Sequence, residues 1–336
     1  ASTFQECEQL FLFRNLWRLP EPPSPQLVRG SLVHDVLEKM FDRPVAARTH
    51  EALGDMFRDE WRAVRDSYLG AEPPLFATRD EERRWGLESL DLLKNYLAFE
   101  TPDEALGVKD REAWLEASAA VPDGLPPLKV VGKLDRLDDL GGPNGLRVVD
   151  YKTGQAPTAK RYYSNQLKEE LADRALFQLR VYAWLLSRRG VDARELRLLY
   201  LGGEEAVAVD EALPADAGER REALDNVEAE LGDVWRAIHH RVAADDPTAF
   251  KRCDRKWCFC HVARPLCLDE PAPAADAPAA PDAVPIAVAD DLAALNVRDL
   301  RDLCRTRDID AVVKRGQDVR ATLLGRLRGE GERMRA

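Results

Sequence analysis

No stretch of this 336-residue chain approaches the run of about 20 apolar residues that a bilayer-spanning helix needs. The run Ala183 to Leu186 belongs to an amphipathic helical pattern. Positive charge is in deficit as well, with 49 Lys+Arg against 60 Asp+Glu and a net charge of -11. That balance excludes a protein coated in basic surface, so any contact with nucleic acid needs a local patch or metal ions that screen the protein's own acids. The GxxxxGK(S/T) phosphate loop is missing, which excludes a built-in nucleotide motor; a helicase would be a separate partner. These residues show no secretory signal, so an exported protein is not the expectation. The chain opens on Ala1 inside a helical pattern of Phe4, Leu10, Phe11, Phe13, Leu16 and Trp17. Something upstream is therefore expected to have been removed, by truncation, as a disordered start or as a targeting peptide. The expectation is a soluble, intracellular protein, in the cytoplasm or nucleoid of a bacterium or in an organelle where a targeting peptide has been cut away.

Apolar residues make up 45% of the chain, with 7 Trp and 10 Phe, enough for a sizeable core, and the length suggests about two domains. The most informative stretch is Val148 to Gly154. A short apolar run, Leu146 to Val149, ends in Asp150 and, one residue later, Lys152, so a buried strand would deliver both side chains together at its exposed end. A second β-branched run, Leu128 to Leu134, ends in Asp135, and the turn Gly141 to Gly145 joins the two. Two carboxylates and one ammonium should therefore converge. Hard cations such as Mg²⁺ take carboxylate oxygens and bind phosphate substrates through one or two acids. The metal offsets charge that builds on a phosphodiester, and a nearby lysine serves the attacking water. The competing reading is a hairpin with charged ends.

Two helical patterns add to the cluster. Leu32, Val33, Val36, Leu37, Met40 and Phe41 recur at helical spacing, with His34 and Glu38 on one face. Further on, Gln178 and Tyr182 stand four apart on a long amphipathic helix. Six cysteines form another signal: Cys7, then Cys253, Cys258, Cys260 and Cys267 within fifteen residues, and Cys304 alone. Thiolates grouped this way bind Zn²⁺ or an iron-sulfur cluster; disulfides are the alternative in a smaller, exported protein.

From the His34 helix through Asp135 and the Asp150-x-Lys152 strand to Gln178 and Tyr182, with cysteines at both ends, the chain resembles the RecB-like branch of the PD-(D/E)XK nucleases over roughly residues 5 to 268. The resemblance implies an α/β, restriction-endonuclease-like core, a small mixed β-sheet flanked by helices, here with a helical insert. It implies that His34, Asp135 and Asp150 hold Mg²⁺ or Mn²⁺. It also implies that Asp135, Asp150 and Lys152 are catalytic, with Gln178 and Tyr182 positioning the lysine and the DNA. In iron-sulfur members of the branch, one early cysteine joins three beyond the core. Cys7, Cys253, Cys258 and Cys267 would then hold a 4Fe-4S cluster, with Zn²⁺ as the alternative. The spacing C-x4-C-x-C-x6-C departs from the family's tighter group and leaves Cys260 able to replace Cys258.

Residues 47–69 and 79–99 form the insert, with Trp61, Tyr68, Trp85, Leu92, Leu93 and Tyr96 as core. Residues 111–121 and 196–201 read as strands, and 214–242 as a long helix. Residues 269–289 contain five prolines and no apolar face, so they form an extended linker. Domain one is thus 1–268. Residues 290–336 form a small all-α module that resembles SAP-type or Rho-N-terminal-type helical pairs. From Asn296 onward there are 11 Lys+Arg against 7 Asp+Glu, a balance of +4, which leaves -15 for everything before it. Arg301, Arg305, Lys314, Arg315 and Arg320 would contact phosphates.

The function these readings support is a Mg²⁺- or Mn²⁺-dependent DNA nuclease. It would be an exonuclease on single strands or ends, in repair or recombination. A non-catalytic DNA-binding scaffold and an RNA nuclease are the alternatives.

Overall fold

Strands that are apolar on both sides need cover on both faces of their sheet, and the middle of this chain supplies two of them. The computed structural model describes residues 2–253 and 267, except 20, 22, 72, 102–106, 122–123, 143–144 and 158–164. The chain divides after Pro271 into two units, and every described residue belongs to the first. The linker 269–289, the module 290–336 with Arg301, Arg305, Lys314, Arg315 and Arg320, and Cys258 and Cys260 lie outside the described residues.

The described residues form one five-stranded sheet in the order β1 (Val108–Ala119), β2 (Leu128–Asp139), β3 (Leu146–Gln155), β4 (Ala193–Gly202), β5 (Val207–Ala212). All neighbours are antiparallel except β3 and β4, which are parallel and need a crossover to connect them. That crossover is α6 (Asn165–Ser187). Val148, Leu196 and Leu198 point into a core with α6 and α7 (Ala217–Ala243). Val149, Tyr151, Leu199 and Leu201, one residue out of step, point into a second core with α3 (Pro25–Met40), α4 (His50–Leu69) and α5 (Arg79–Phe99). The sheet is thus mixed and flanked by helices on both sides, as expected.

Local chemistry sets the helix starts. Thr49, Thr78 and Asp216 are extended N-caps whose side chains accept from backbone N–H groups of α4, α5 and α7, and Pro25 opens α3, where its missing N–H costs nothing. Among the described residues no helix is long and apolar enough to cross a membrane.

Four details differ from the sequence expectation. The opening helical pattern is broken into α1 (Ser2–Glu6), α2 (Glu8–Phe11) and a π-helical turn, Leu12–Leu16. The break falls at Cys7, whose backbone is extended so that its sulfur caps α2. β2 and β3 run past Asp135 and Asp150 rather than ending there. The first strand starts at Val108 and stops at Ala119. β5, only partly buried, lies outside every strand the apolar pattern suggested.

Candidate active site

β2 and β3 are hydrogen-bonded neighbours from Asp139↔Leu146 to Arg136↔Val149 and then part. Asp135 and Asp150 are the next residues on each strand, so both carboxylates stand where the ladder opens. The backbone N–H of Tyr151, freed by that parting, donates to Asp135 Oδ2 at 2.7 Å. Asp135 Oδ1 is left facing His34 Nδ1 at 3.4 Å.

His34 comes from α3, and its Nε2 lies 3.0 Å from the carbonyl oxygen of Tyr151. A carbonyl only accepts, so Nε2 carries the proton and Nδ1 faces Asp135. This is how imidazoles that hold metals are oriented: the far N–H is spent on a carbonyl, and the near nitrogen is offered to the ion. Burial by itself would lower the His34 pKa. The hydrogen bond and charge of Asp135, then the charges of Asp150 and Glu112, outweigh burial and raise it. In the metal-free protein the ring tends toward its charged form, and a cation must displace that proton.

Glu112 of β1 was not among the residues singled out from the sequence. One ligand atom from each of His34, Glu112 and Asp135 lies within 4.8 Å of the others, a donor set of one nitrogen and two carboxylate oxygens. Burial raises the Glu112 pKa, against the pull of its partner Lys133. The donor set suits a hard divalent cation with imidazole tolerance, so the residues present fit Mg²⁺ or Mn²⁺.

Asp150, expected beside His34 and Asp135, is near enough for its charge to act on both, and its carboxylate is engaged by Lys152. Its Oδ2 lies 2.7 Å from Lys152 Nζ as an ion pair, without the angle for a hydrogen bond. Burial pushes its pKa up to about 6 despite the ammonium alongside. Lys152 Nζ donates to Gln178 Oε1 at 3.1 Å, and Gln178 Nε2 donates to the Tyr182 hydroxyl oxygen at 2.8 Å. Gln178 and Tyr182 sit one turn apart on α6, which lays the relay from Lys152 on β3 toward Gly132 on β2. Tyr182 is buried, and that burial pushes its phenol up to about 12, so it stays neutral. Its ring packs on Gly132, where a Cβ would come 2.6 Å from Tyr182 Cε1.

The cysteines meet elsewhere. Cys7 is buried against Leu10 and Cys253, and its sulfur accepts from the Leu10 N–H at 3.4 Å. Both line a cavity of about 460 Å³ with residues of α1, α7 and 251–252. Cys267 is partly exposed. A buried sulfur that already accepts a backbone N–H, beside a second thiol and an open space, fits an iron-sulfur or zinc centre.

Residues 1–264 match the family described as the PD-(D/E)XK nuclease superfamily. No curated protein matches the chain. Among solved structures it is similar to a Eubacterium rectale protein assigned as an exonuclease, at 17% identity and a TM-score of 0.42 over 81% of this chain and 86% of that one. It is also similar to the protein SSO0001, at 16% identity and a TM-score of 0.26 over 61% of this chain and 86% of that one.

Proposed function

The chain belongs to the PD-(D/E)XK nuclease superfamily, and from that membership we propose that it is a metal-dependent deoxyribonuclease, an exonuclease on single strands or DNA ends. The reading rests on one observation: at the point where β2 and β3 part, a carbonyl-tethered imidazole and Asp135 converge beside the Asp150–Lys152–Gln178–Tyr182 relay.

His34 and Asp135 would hold Mg²⁺ or Mn²⁺, and the cation supplies Lewis acidity toward the scissile phosphodiester. Asp150 by charge and the Gln178 amide oxygen by hydrogen bond hold the Lys152 ammonium from two sides, and the lysine would serve the water that attacks the phosphorus. Tyr182 fixes Gln178, and with it the lysine. The 4Fe-4S cluster is proposed on Cys7, Cys253, Cys267 and one of Cys258 and Cys260, in a structural role. The basic module after residue 290 would grip the DNA backbone, and a separate helicase would feed it strands in repair or recombination.

The test is degradation of labelled single-stranded DNA with Mg²⁺ or Mn²⁺. Wild type should cut, and Lys152→Ala should lose cutting by several orders of magnitude while still binding DNA. Equal inertness of the two proteins across single-stranded, duplex and RNA substrates would sink the nuclease reading.

A further inference from the structure

Around Asp135 the sheet breaks its own alternation in two strands at once. Arg111 of β1 and Arg136 of β2 are cross-strand partners, and both turn toward the helices of one face. Arg111 reaches Glu38 and Asp42, and Arg136 reaches Glu100. Ala113 and Leu134, the cross-strand pair two residues along, instead join the opposite core under α6. Residues i and i+2 of a regular strand share a face, so both strands reverse at the residues between, Glu112 and Asp135. At Glu112 the reversal is made with φ at +46°, a conformation that residues with side chains rarely adopt. It turns the Glu112 carboxylate onto His34 and Asp135, with 11% of the side chain left exposed.

That carboxylate already has a cation. Lys133, two residues before Asp135 on β2, forms an ion pair with it from a side chain that is 41% exposed. The ammonium can therefore leave Glu112 for water without crossing the core, and its departure opens a third donor, a carboxylate oxygen, beside His34 Nδ1 and Asp135 Oδ1.

We propose that Glu112 is a third protein ligand of the catalytic cation, and that Lys133 is its stand-in, holding the carboxylate until a divalent ion replaces it. The proposal rests on the metal-dependent reading above and adds to it a residue and an exchange. Glu112, Asp135 and Asp150 are three acids in one place. Lys133 and Lys152 neutralise two of them while the site waits, and a dication takes over from Lys133 alone.

The two partners then act on metal affinity with opposite signs. In the full-length, metal-stripped protein titrated with Mn²⁺ by calorimetry, with no nucleic acid present, Glu112→Gln should weaken binding by about tenfold or more. Lys133→Met should tighten it several-fold, because a competitor is gone. The double variant should lie close to Glu112→Gln alone, since the ion pair with the glutamate is the lysine's strongest interaction. A purely structural ion pair predicts something else: both single variants lose thermal stability alike, and Mn²⁺ affinity stays where it was. That result overturns the proposal, as does any weakening by Lys133→Met, which also decides the matter should Glu112→Gln fail to fold. If wild type binds Mn²⁺ and cuts DNA but Glu112→Gln binds as tightly, the proposal falls, ligand and exchange alike, while the nuclease reading stands. If wild type neither binds Mn²⁺ nor cuts, the nuclease reading falls and the exchange falls with it.

Discussion

Gly132 and Tyr182 form a contact in which a hydrogen atom on one side decides where a phenol sits on the other. A methyl at Gly132 would meet Tyr182 Cε1 at 2.6 Å, and neither the strand backbone nor a buried ring can give way by that much. Gly132→Ala should cost about 1–3 kcal/mol of stability, read as a lower urea midpoint, and should also lower kcat by displacing the end of the relay. Tyr182→Phe separates the two effects. It keeps the ring on Gly132 and removes only the oxygen that receives the Gln178 amide at 2.8 Å. A fall in kcat of about fivefold, with KM and the melting temperature little changed, is the expectation, from about 1 kcal/mol for a net hydrogen bond. Unchanged kcat in Tyr182→Phe would mean that the phenol packs but does not position.

Behind the strands that carry the acids lies a set of charges that ties elements together. Arg136, 1% exposed, donates to both oxygens of Glu100 and of Asp138 and to the hydroxyls of Tyr96 and Tyr151. Glu100 follows the end of α5, Arg136 and Asp138 are on β2, and Tyr151 on β3 lies between Asp150 and Lys152. The network holds one helix end and two strands in register at the back of the site. Glu100→Gln removes one anion from a buried cation and should cost roughly 3 kcal/mol, measured by denaturant unfolding. The same group sets an acid limit. Burial alone would raise the Glu100 pKa, but the hydrogen bond and charge of Arg136 outweigh it and hold the carboxyl below its ordinary value of 4.5. A depressed folded pKa means that the stabilisation is complete above 4.5 and is lost as pH falls through the lower folded value. Wild type should thus lose stability on acidification below about pH 4.5, and Glu100→Gln should lose less over the same interval. Parallel losses in the two proteins would assign the acid limit to other carboxylates. Spacing marks Tyr96 as core, whereas Arg136 and Glu100 carry surface-type side chains. Only their meeting across 36 residues makes burial tolerable to both.

At the scale of the whole unit, the first helices and residues 241–251 are held together by a clamp that needs no metal. Glu8 accepts from Arg241 at 2.8 and 3.2 Å and from the Lys251 backbone at 2.9 Å, fastening the first helices to the segment that leads into the late cysteines. The cysteine spacing suggests a cluster as the clamp; the Glu8 contacts fasten the same two segments, and Cys7 and Cys253 pack together there. Protein purified without oxygen should be brown, and Cys7→Ala should lose both the colour and several degrees of melting temperature, since closing so long a loop restricts the unfolded chain. Colourless protein with stoichiometric zinc would replace the iron-sulfur assignment. Cys7→Ala that keeps its melting temperature would leave Glu8 as the working clamp.

What the chain determined by itself is whatever depends on neighbours in sequence. The two-residue period of β3 puts Asp150 with Lys152, the four-residue step on α6 puts Gln178 with Tyr182, and consecutive valines at 148 and 149 require a strand covered on both faces. Tertiary structure alone decided the rest: the approach of His34 to Asp135 at a parting of two strands, the entry of Glu112, and the clamp at Glu8. The physical reason is common to all three. A charged side chain leaves no apolar period to read, its place is set by a counter-charge up to 233 residues away, and the reversal at Glu112 breaks the very alternation from which a strand is recognised.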